Sequence, residues 1–229
     1  MTTQVLERCS FERKVELRAA PEGSASPGAL VGYAAVFNQI SRDLGGWAEE
    51  IDPGAFGPVA ADGRLDMARH TRVMCRAEHL SSGLLGTTDA GTLRLYVDNT
   101  GLRYEVDLPA TSRGRDIAIL AERGDIRFSS FAFYTLPGGR EWREDSRGML
   151  ISRVMDAILV DVAPVADPAY WGSSSELRTI DLEAIRAQLH PEPAAEPAPD
   201  PATSEERAAV VGRAHEIEII LEGSRHARA

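Results

Sequence analysis

The stretch TLRLYVDNTGLRYEVDLP (residues 92–109) indicates the class of fold. On both sides of the turn-forming triplet NTG (99–101), apolar side chains alternate with polar ones, which is typical of a β-hairpin with one buried face. Further strand-like segments occur at 30–37, 126–134 and 149–165, whereas up to residue 190 helical signals occur only at 111–124 and 180–190. We therefore predict a mainly β, α+β fold, an antiparallel barrel or sandwich decorated by helices, rather than an alternating parallel sheet.

The composition divides the chain into four parts. Residues 1–29 hold one strand candidate, Phe11–Leu17, and end in a flexible loop. Residues 30–190 form the main domain, in which 38–57 carries so many turn residues that a long loop is expected. Residues 191–202 (PEPAAEPAPDPA) predict an extended Pro/Ala/acid linker. An apolar stripe in 203–229 predicts an amphipathic helix with a short tail, docked either on the main domain or on another chain.

Charge and hydropathy exclude several classes of function. The 229 residues carry 35 acidic against 25 basic side chains, and this net charge of −10 opposes the binding of nucleic acid. No apolar run is long enough to span a membrane, and the first residues lack the apolar core of a secretion signal. Cys9 and Cys75 lack CxxC spacing, which argues against a disulfide framework or a cysteine zinc site and fits a reducing cytosol.

Two of the five histidines are candidates for proton transfer. His70 lies in the polar segment RLDMARHTR, and His79 ends RVMCRAEH just before a turn-like LSSG. The other three, His190, His215 and His226, lie in or beyond the linker region. A surface or packed imidazole is the more common role of a histidine, and the residues alone leave both candidates open.

One serine and one aspartate interrupt apolar strands. In IRFSSFAF (126–133), Phe131 and Phe133 share a face with Ser129, so Ser130 points to the opposite side as a candidate nucleophile. A strand serine that merely bonds a neighbour is the alternative. Asp161 lies within the apolar run AILVDVAPV, and a buried carboxylate needs a partner, either a histidine N–H or an arginine.

The order of these segments resembles the prohead (head maturation) serine proteases of tailed bacteriophages, which are distantly similar to the herpesvirus assemblin proteases. The matching pieces are LVGYAAVFN (30–38), EEIDPGAF (49–56), EHLSSGLLGTT (78–88), the hairpin, helix and strand of 91–133, and ILVDVAPVADPAY (158–170). The resemblance implies a β-barrel surrounded by helices. It also implies His79 as general base, Ser130 as nucleophile and Asp161 as third member of the site.

The activity implied by the resemblance is that of a serine endopeptidase that processes phage capsid or scaffolding protein inside the immature capsid, in the cytoplasm of the bacterial host. Self-cleavage and self-association are further expectations, whereas no cofactor, metal, nucleic acid or membrane partner is expected. A non-enzymatic assembly or scaffold module with a protease-like fold is the first alternative. A metal-dependent hydrolase using Asp66, His70, Glu78 and His79 is the second, although their spacing matches no metal motif.

Overall fold

The computed structural model describes residues 5–11, 13–41, 43–167 and 180–191. Within them the chain forms a mixed α+β fold of mostly strands with two α-helices, as predicted. The strands are β1 (Glu7–Phe11), β2 (Glu16–Ala19), β3 (Gly28–Val36), β4 (Trp47–Ile51), β5 (Met74–Arg76), β6 (Leu84–Thr87), β7 (Leu93–Val97), β8 (Gly101–Asp107), β9 (Phe128–Thr135), β10 (Arg140–Glu144), β11 (Leu150–Val154) and β12 (Ala157–Val165). The helices are α1 (Ser112–Arg123) and α2 (Leu182–Leu189). The predicted helix and tail of 203–229, and all of the predicted linker 191–202 except its first residue, lie outside the described residues.

The strands form three sheets, with the orders β1-β9-β12-β5-β6, β2-β3-β8-β7 and β10-β11-β4. The predicted closed antiparallel barrel is not confirmed. Closure requires every strand to pair on both sides, whereas in the described part of the chain each sheet ends in strands with one partner. Two pairings, β4 with β11 and β5 with β12, are moreover parallel.

The predicted hairpin is β7 and β8, paired antiparallel with Leu95 opposite Tyr104. Asp98 closes its turn, because Oδ1 accepts from the N–H groups of Thr100 and Gly101 at 2.7 and 3.1 Å. A Cβ at Gly101 would lie 2.0 Å from the carbonyl oxygen of Ala35 on β3, so only glycine fits there. Strand β8 of the hairpin therefore packs directly against β3, its neighbour in the sheet.

Helix α1 lies between the hairpin and β9, where the sequence predicts it. Thr111 caps its start by accepting from the N–H of Gly114 at 3.2 Å. Gly124 ends it with φ at +81°, in the left-handed region that favours glycine. Ile117 and Ala121 are buried on one face, so the helix packs against the core beside the start of β9.

Two parts of the chain differ from the expectation. The predicted strand Phe11–Leu17 mostly spans the gap between two strands, since β1 ends at Phe11, β2 begins at Glu16 and residues 13–15 belong to neither. Val15 in this gap is buried and donates its N–H to the carbonyl of Arg127 at 3.0 Å. The predicted loop 38–57 contains the strand β4. Two charged residues, Glu49 and Glu50, make this strand look like an exposed segment in the sequence. Both are buried in the structure, where they pair with arginines of β10 and β11, the other two strands of the sheet.

Strand β9 separates the hydrophobic core from the site described below. Phe131 and Phe133 stack in the core at a centroid distance of 5.0 Å, and Phe56 meets Phe131 edge-on at 5.7 Å. Because side chains alternate along a strand, Ser130 projects to the opposite face. The neighbours of β9 in the sheet are β1 on one side and β12 on the other.

Candidate active site

A short, tightly built connection between β5 and β6 positions His79. It consists of two 3₁₀ turns, Ala77–His79 and Ser81–Gly83. Glu78 and His79 have φ of +55° and +54°, a region that costs free energy for residues other than glycine. Glu78 Oε1 accepts from the N–H of Ala166 at 2.7 Å, which ties the turn to the end of β12. The imidazole is therefore held in place by its own backbone and by the strand that carries Asp161.

The structure brings His79, Ser130 and Asp161 together. His79 Nε2 lies 2.8 Å from Ser130 Oγ, across 51 residues of chain, and His79 Nδ1 lies 2.6 Å from Asp161 Oδ1, across 82 residues. Ser130 is fully buried, and the side chains of His79 and Asp161 are 7% and 4% exposed. Ser130 and Asp161 lie on neighbouring antiparallel strands, β9 and β12, so the rigid sheet fixes their separation.

The hydrogen bond between His79 and Asp161 leaves the other ring nitrogen able to take a proton from the serine. Because Nδ1 faces a carboxylate, it carries the ring proton and donates to Asp161. In a neutral imidazole Nε2 then has a lone pair, which can accept the Ser130 hydroxyl proton. A histidine in this tautomer can act as general base toward Ser130.

Arg76 adds a fourth side chain, a cationic one, that the sequence analysis did not single out. Its Nη1 lies 3.3 Å from Asp161 Oδ2, and its Nη2 lies 2.9 Å from the sulfur of Met74. Asp161 therefore has both partners considered for it, a histidine and an arginine, one on each oxygen. Two cationic or polar donors compensate the cost of burying this carboxylate.

A backbone carbonyl also contacts the serine. Ser130 Oγ lies 2.9 Å from the carbonyl oxygen of Cys9 on β1. Cys9 and Cys75 are both buried thiols. Burial, with a smaller contribution from Asp161, raises the pKa of Cys75, so this thiol is not an activated nucleophile.

His70 lies outside this cluster. It is buried, its Nε2–H donates to the carbonyl of Phe56 at 2.9 Å, and its Nδ1 accepts from the N–H of Leu159 at 3.1 Å. Burial lowers its pKa, which keeps the ring neutral. Both ring nitrogens are committed to the backbone, so His70 is not free to bind a metal with Asp66. In the part of the chain that the structure describes, no group of three or more metal-ligating side chains is placed to hold an ion.

Ser129 faces the core, as the alternation of β9 predicts. It is fully buried, and its Oγ shares a hydrogen bond of 3.1 Å with the hydroxyl of Tyr104. Burial raises the pKa of Tyr104, so the phenol stays protonated. The adjacent serines thus have different surroundings, a tyrosine for Ser129 and an imidazole for Ser130.

A serine hydroxyl, an imidazole and a carboxylate joined in this order form the arrangement that serine hydrolases use. A family model described as caudovirus prohead serine protease matches residues 13–188, and the chain belongs to this family. The resemblance stated from the sequence is thereby confirmed. Searches of curated proteins and of solved structures found no match.

Among the described residues, the helices are too short or too polar to cross a membrane.

Proposed function

We propose that this protein is a serine endopeptidase that cleaves phage capsid or scaffolding protein during prohead maturation. Ser130 is the nucleophile, His79 the general base and Asp161 the residue that orients the imidazole. The observation that carries the proposal is the continuous chain of hydrogen bonds, 2.8 Å from Ser130 to His79 and 2.6 Å from His79 to Asp161. Membership of the prohead serine protease family supports the same reaction class.

The proposed reaction is acyl transfer to Ser130. As the hydroxyl attacks a peptide carbonyl carbon, His79 Nε2 takes its proton, and the charged imidazole is stabilised by Asp161. His79 then gives the proton to the leaving amine, which releases the first product and leaves an acyl-enzyme. Water attacks this ester by the same route, with His79 again as base, and Ser130 is regenerated. Arg76 keeps Asp161 in place from its second oxygen.

The setting of the reaction is proposed from the family. Family membership supports a site of action inside the immature capsid, in the cytoplasm of the bacterial host. Self-cleavage and self-association also belong to this proposal, and the Pro/Ala/acid sequence of residues 191–202 is the region in which we expect self-cleavage. The distant relation to herpesvirus assemblins belongs to it as well.

The experiment uses the two adjacent serines of β9. The chain is co-expressed with its phage's capsid and scaffolding proteins, and their termini are determined by mass spectrometry. We expect Ser130→Ala to abolish cleavage, a loss on the order of 10⁴-fold or more. Ser129→Ala is the matched control, since it removes a buried hydroxyl one residue away that bonds Tyr104 instead of His79.

Retained processing in Ser130→Ala contradicts the proposal. Uncleaved capsid protein with the unmodified chain, in particles that assemble normally, would favour the non-enzymatic assembly module. Cleavage that survives Ser130→Ala but is lost with a chelator would favour the metal-dependent hydrolase.

A further inference from the structure

The N-terminal strand β1 contacts Ser130 but has no part in the proposed reaction. It forms the edge of its sheet and pairs antiparallel with β9, with Ser10 opposite Ser130. Ser130 is fully buried, with its Oγ 2.9 Å from the carbonyl oxygen of Cys9. A protein substrate cannot reach a buried hydroxyl, and β1 supplies the carbonyl oxygen in contact with it, so we take β1 as the element that moves before a substrate carbonyl occupies this place.

The Cys9 carbonyl also competes for the proton that the reaction needs. A hydroxyl has one proton to donate. If Ser130 donates it to the carbonyl of Cys9, that proton is not directed toward His79 Nε2, where the reaction requires it. With β1 in place, the serine is held in a resting arrangement.

Glu7 anchors β1 by binding to Thr135 and Arg140, and we call these two residues the acidic-residue subsite because they bind a carboxylate. Its Oε1 accepts from the hydroxyl of Thr135 at 2.5 Å, and its Oε2 is paired with the guanidinium of Arg140. The side chains of Glu7 and Arg140 are largely buried, and Arg140 also pairs with Glu49 at 3.3 Å. Because Glu49 belongs to β4, the cation keeps a partner in the fold when Glu7 leaves, and the subsite persists.

The side chain of Cys9 marks a second position. It is fully buried within the main hydrophobic core, two residues after Glu7. An occupant of this place therefore combines an acidic residue with a small apolar residue two positions later, whose carbonyl meets Ser130. Backbone pairing with β9 supplies the remaining affinity, as in other peptides that add a strand to a sheet edge.

We propose that β1 occupies the place of the peptide substrate, and this inference rests on the proposed function. The enzyme binds extended peptides with the pattern acidic, any residue, small apolar, along β9. Its own residues 5–11 (VLERCSF) fill this place until they are displaced. The family match begins at residue 13, after this strand, so β1 lies outside the part of the chain that the family model covers.

The first test measures how fast a fluorophosphonate labels Ser130. We expect Glu7→Ala to label about tenfold faster than the unmodified chain, because the strand loses its charged anchor. The matched control is Glu16→Ala, which removes an exposed glutamate of β2 and is expected to change the rate by less than about twofold. Thermal unfolding of both variants verifies that they are folded.

The second test removes β1 without a point substitution in the sheet. A recognition site for a specific protease is placed before Arg13, next to the exposed Lys14, and the full chain is cut there after folding. Removal of the N-terminal fragment should accelerate labelling at least as much as Glu7→Ala. The synthetic peptide VLERCSF should slow it again, and the same peptide with alanine for Glu7 should require about tenfold higher concentration.

The inference and the proposed function fail in different ways. If Ser130 is labelled at the same rate with and without β1, or if the peptide does not compete, β1 is not a substrate mimic although the catalytic assignment stands. If the cut chain unfolds when the fragment is removed, β1 is a fixed part of the core, and it is again not a substrate mimic. If no form of the chain is labelled at Ser130, both proposals are wrong.

Discussion

His70 and His79 are held alike but bonded to different partners. His70 and His79 each use both ring nitrogens, and each is joined to β12, at Leu159 and Asp161 respectively. The partners of His70 are an amide N–H and a carbonyl, which cannot gain or lose a proton. The partners of His79 are a hydroxyl and a carboxylate, which can take part in proton transfer. The difference teaches that the chemistry of the partners, and not burial, separates a structural imidazole from a candidate general base.

The largest expected effect comes from removing each imidazole. We expect His79→Ala to reduce cleavage of capsid protein on the order of 10⁴-fold. His70→Ala should leave the Leu159 N–H and the Phe56 carbonyl buried without a partner and lower the unfolding free energy by about 3 kcal/mol. Cleavage time courses and urea unfolding measure the two effects. Wild-type cleavage by folded His79→Ala would reverse the comparison.

The next effect concerns the carboxylate behind His79. Asp161→Asn keeps the shape of the side chain but removes its charge, so the imidazolium formed in the reaction loses its stabilisation. We expect a rate lower by roughly 10³–10⁴-fold. Asp156→Asn is the control, because Asp156 is half-exposed and pairs with Arg69 away from the site; its rate should stay within about twofold. Equal losses in both variants would contradict the role of Asp161.

A smaller effect is expected at Arg76, which we describe as a positioning residue because it acts through Asp161. Arg76→Met should lower kcat roughly tenfold while KM changes little, and Arg76→Lys should recover part of the loss by restoring a cation. Arg72→Met removes the exposed partner of Asp89 and serves as the control. A change confined to KM, or no recovery with lysine, would show that Arg76 does not act through the carboxylate.

The smallest effect is the pH dependence of stability contributed by His70. Burial lowers the pKa of His70 below its ordinary value of 6.5, so the unfolded chain binds more protons than the folded one as the pH falls below 6.5. Stability is therefore retained above 6.5 and declines as the pH falls toward the folded-state pKa. The slope of unfolding free energy against pH should be smaller in His70→Asn, whose Oδ1 still accepts a hydrogen bond. An unchanged slope would assign the dependence to other groups.

The sequence predicted the parts of this comparison that depend on local pattern. The alternation in β9 placed Ser130 and Phe131 on opposite faces, and the apolar surroundings of Asp161 predicted that it is paired. The residues alone could not choose between His70 and His79, because the choice depends on partners up to 89 residues away along the chain. The resemblance to a family supplied that choice.

Other parts of the site left no usable signal. The contact from Cys9 is made by a backbone carbonyl, which every residue possesses. Arg76 is one of many arginines, and its pairing with Asp161 spans 85 residues. Strand β4 was missed for a related reason, since Glu49 and Glu50 resemble a solvent-exposed segment until distant arginines neutralise them. Long-range electrostatic pairing, unlike alternation, is not encoded within a short window.

The most direct test of the catalytic assignment is the position of a covalent adduct. The full chain is treated with a fluorophosphonate until labelling is complete, digested, and mapped by mass spectrometry. We expect a single adduct on Ser130 that is absent from His79→Ala treated in the same way. An adduct on Ser129 or another residue, or equal labelling of Ser130 without His79, would contradict the account.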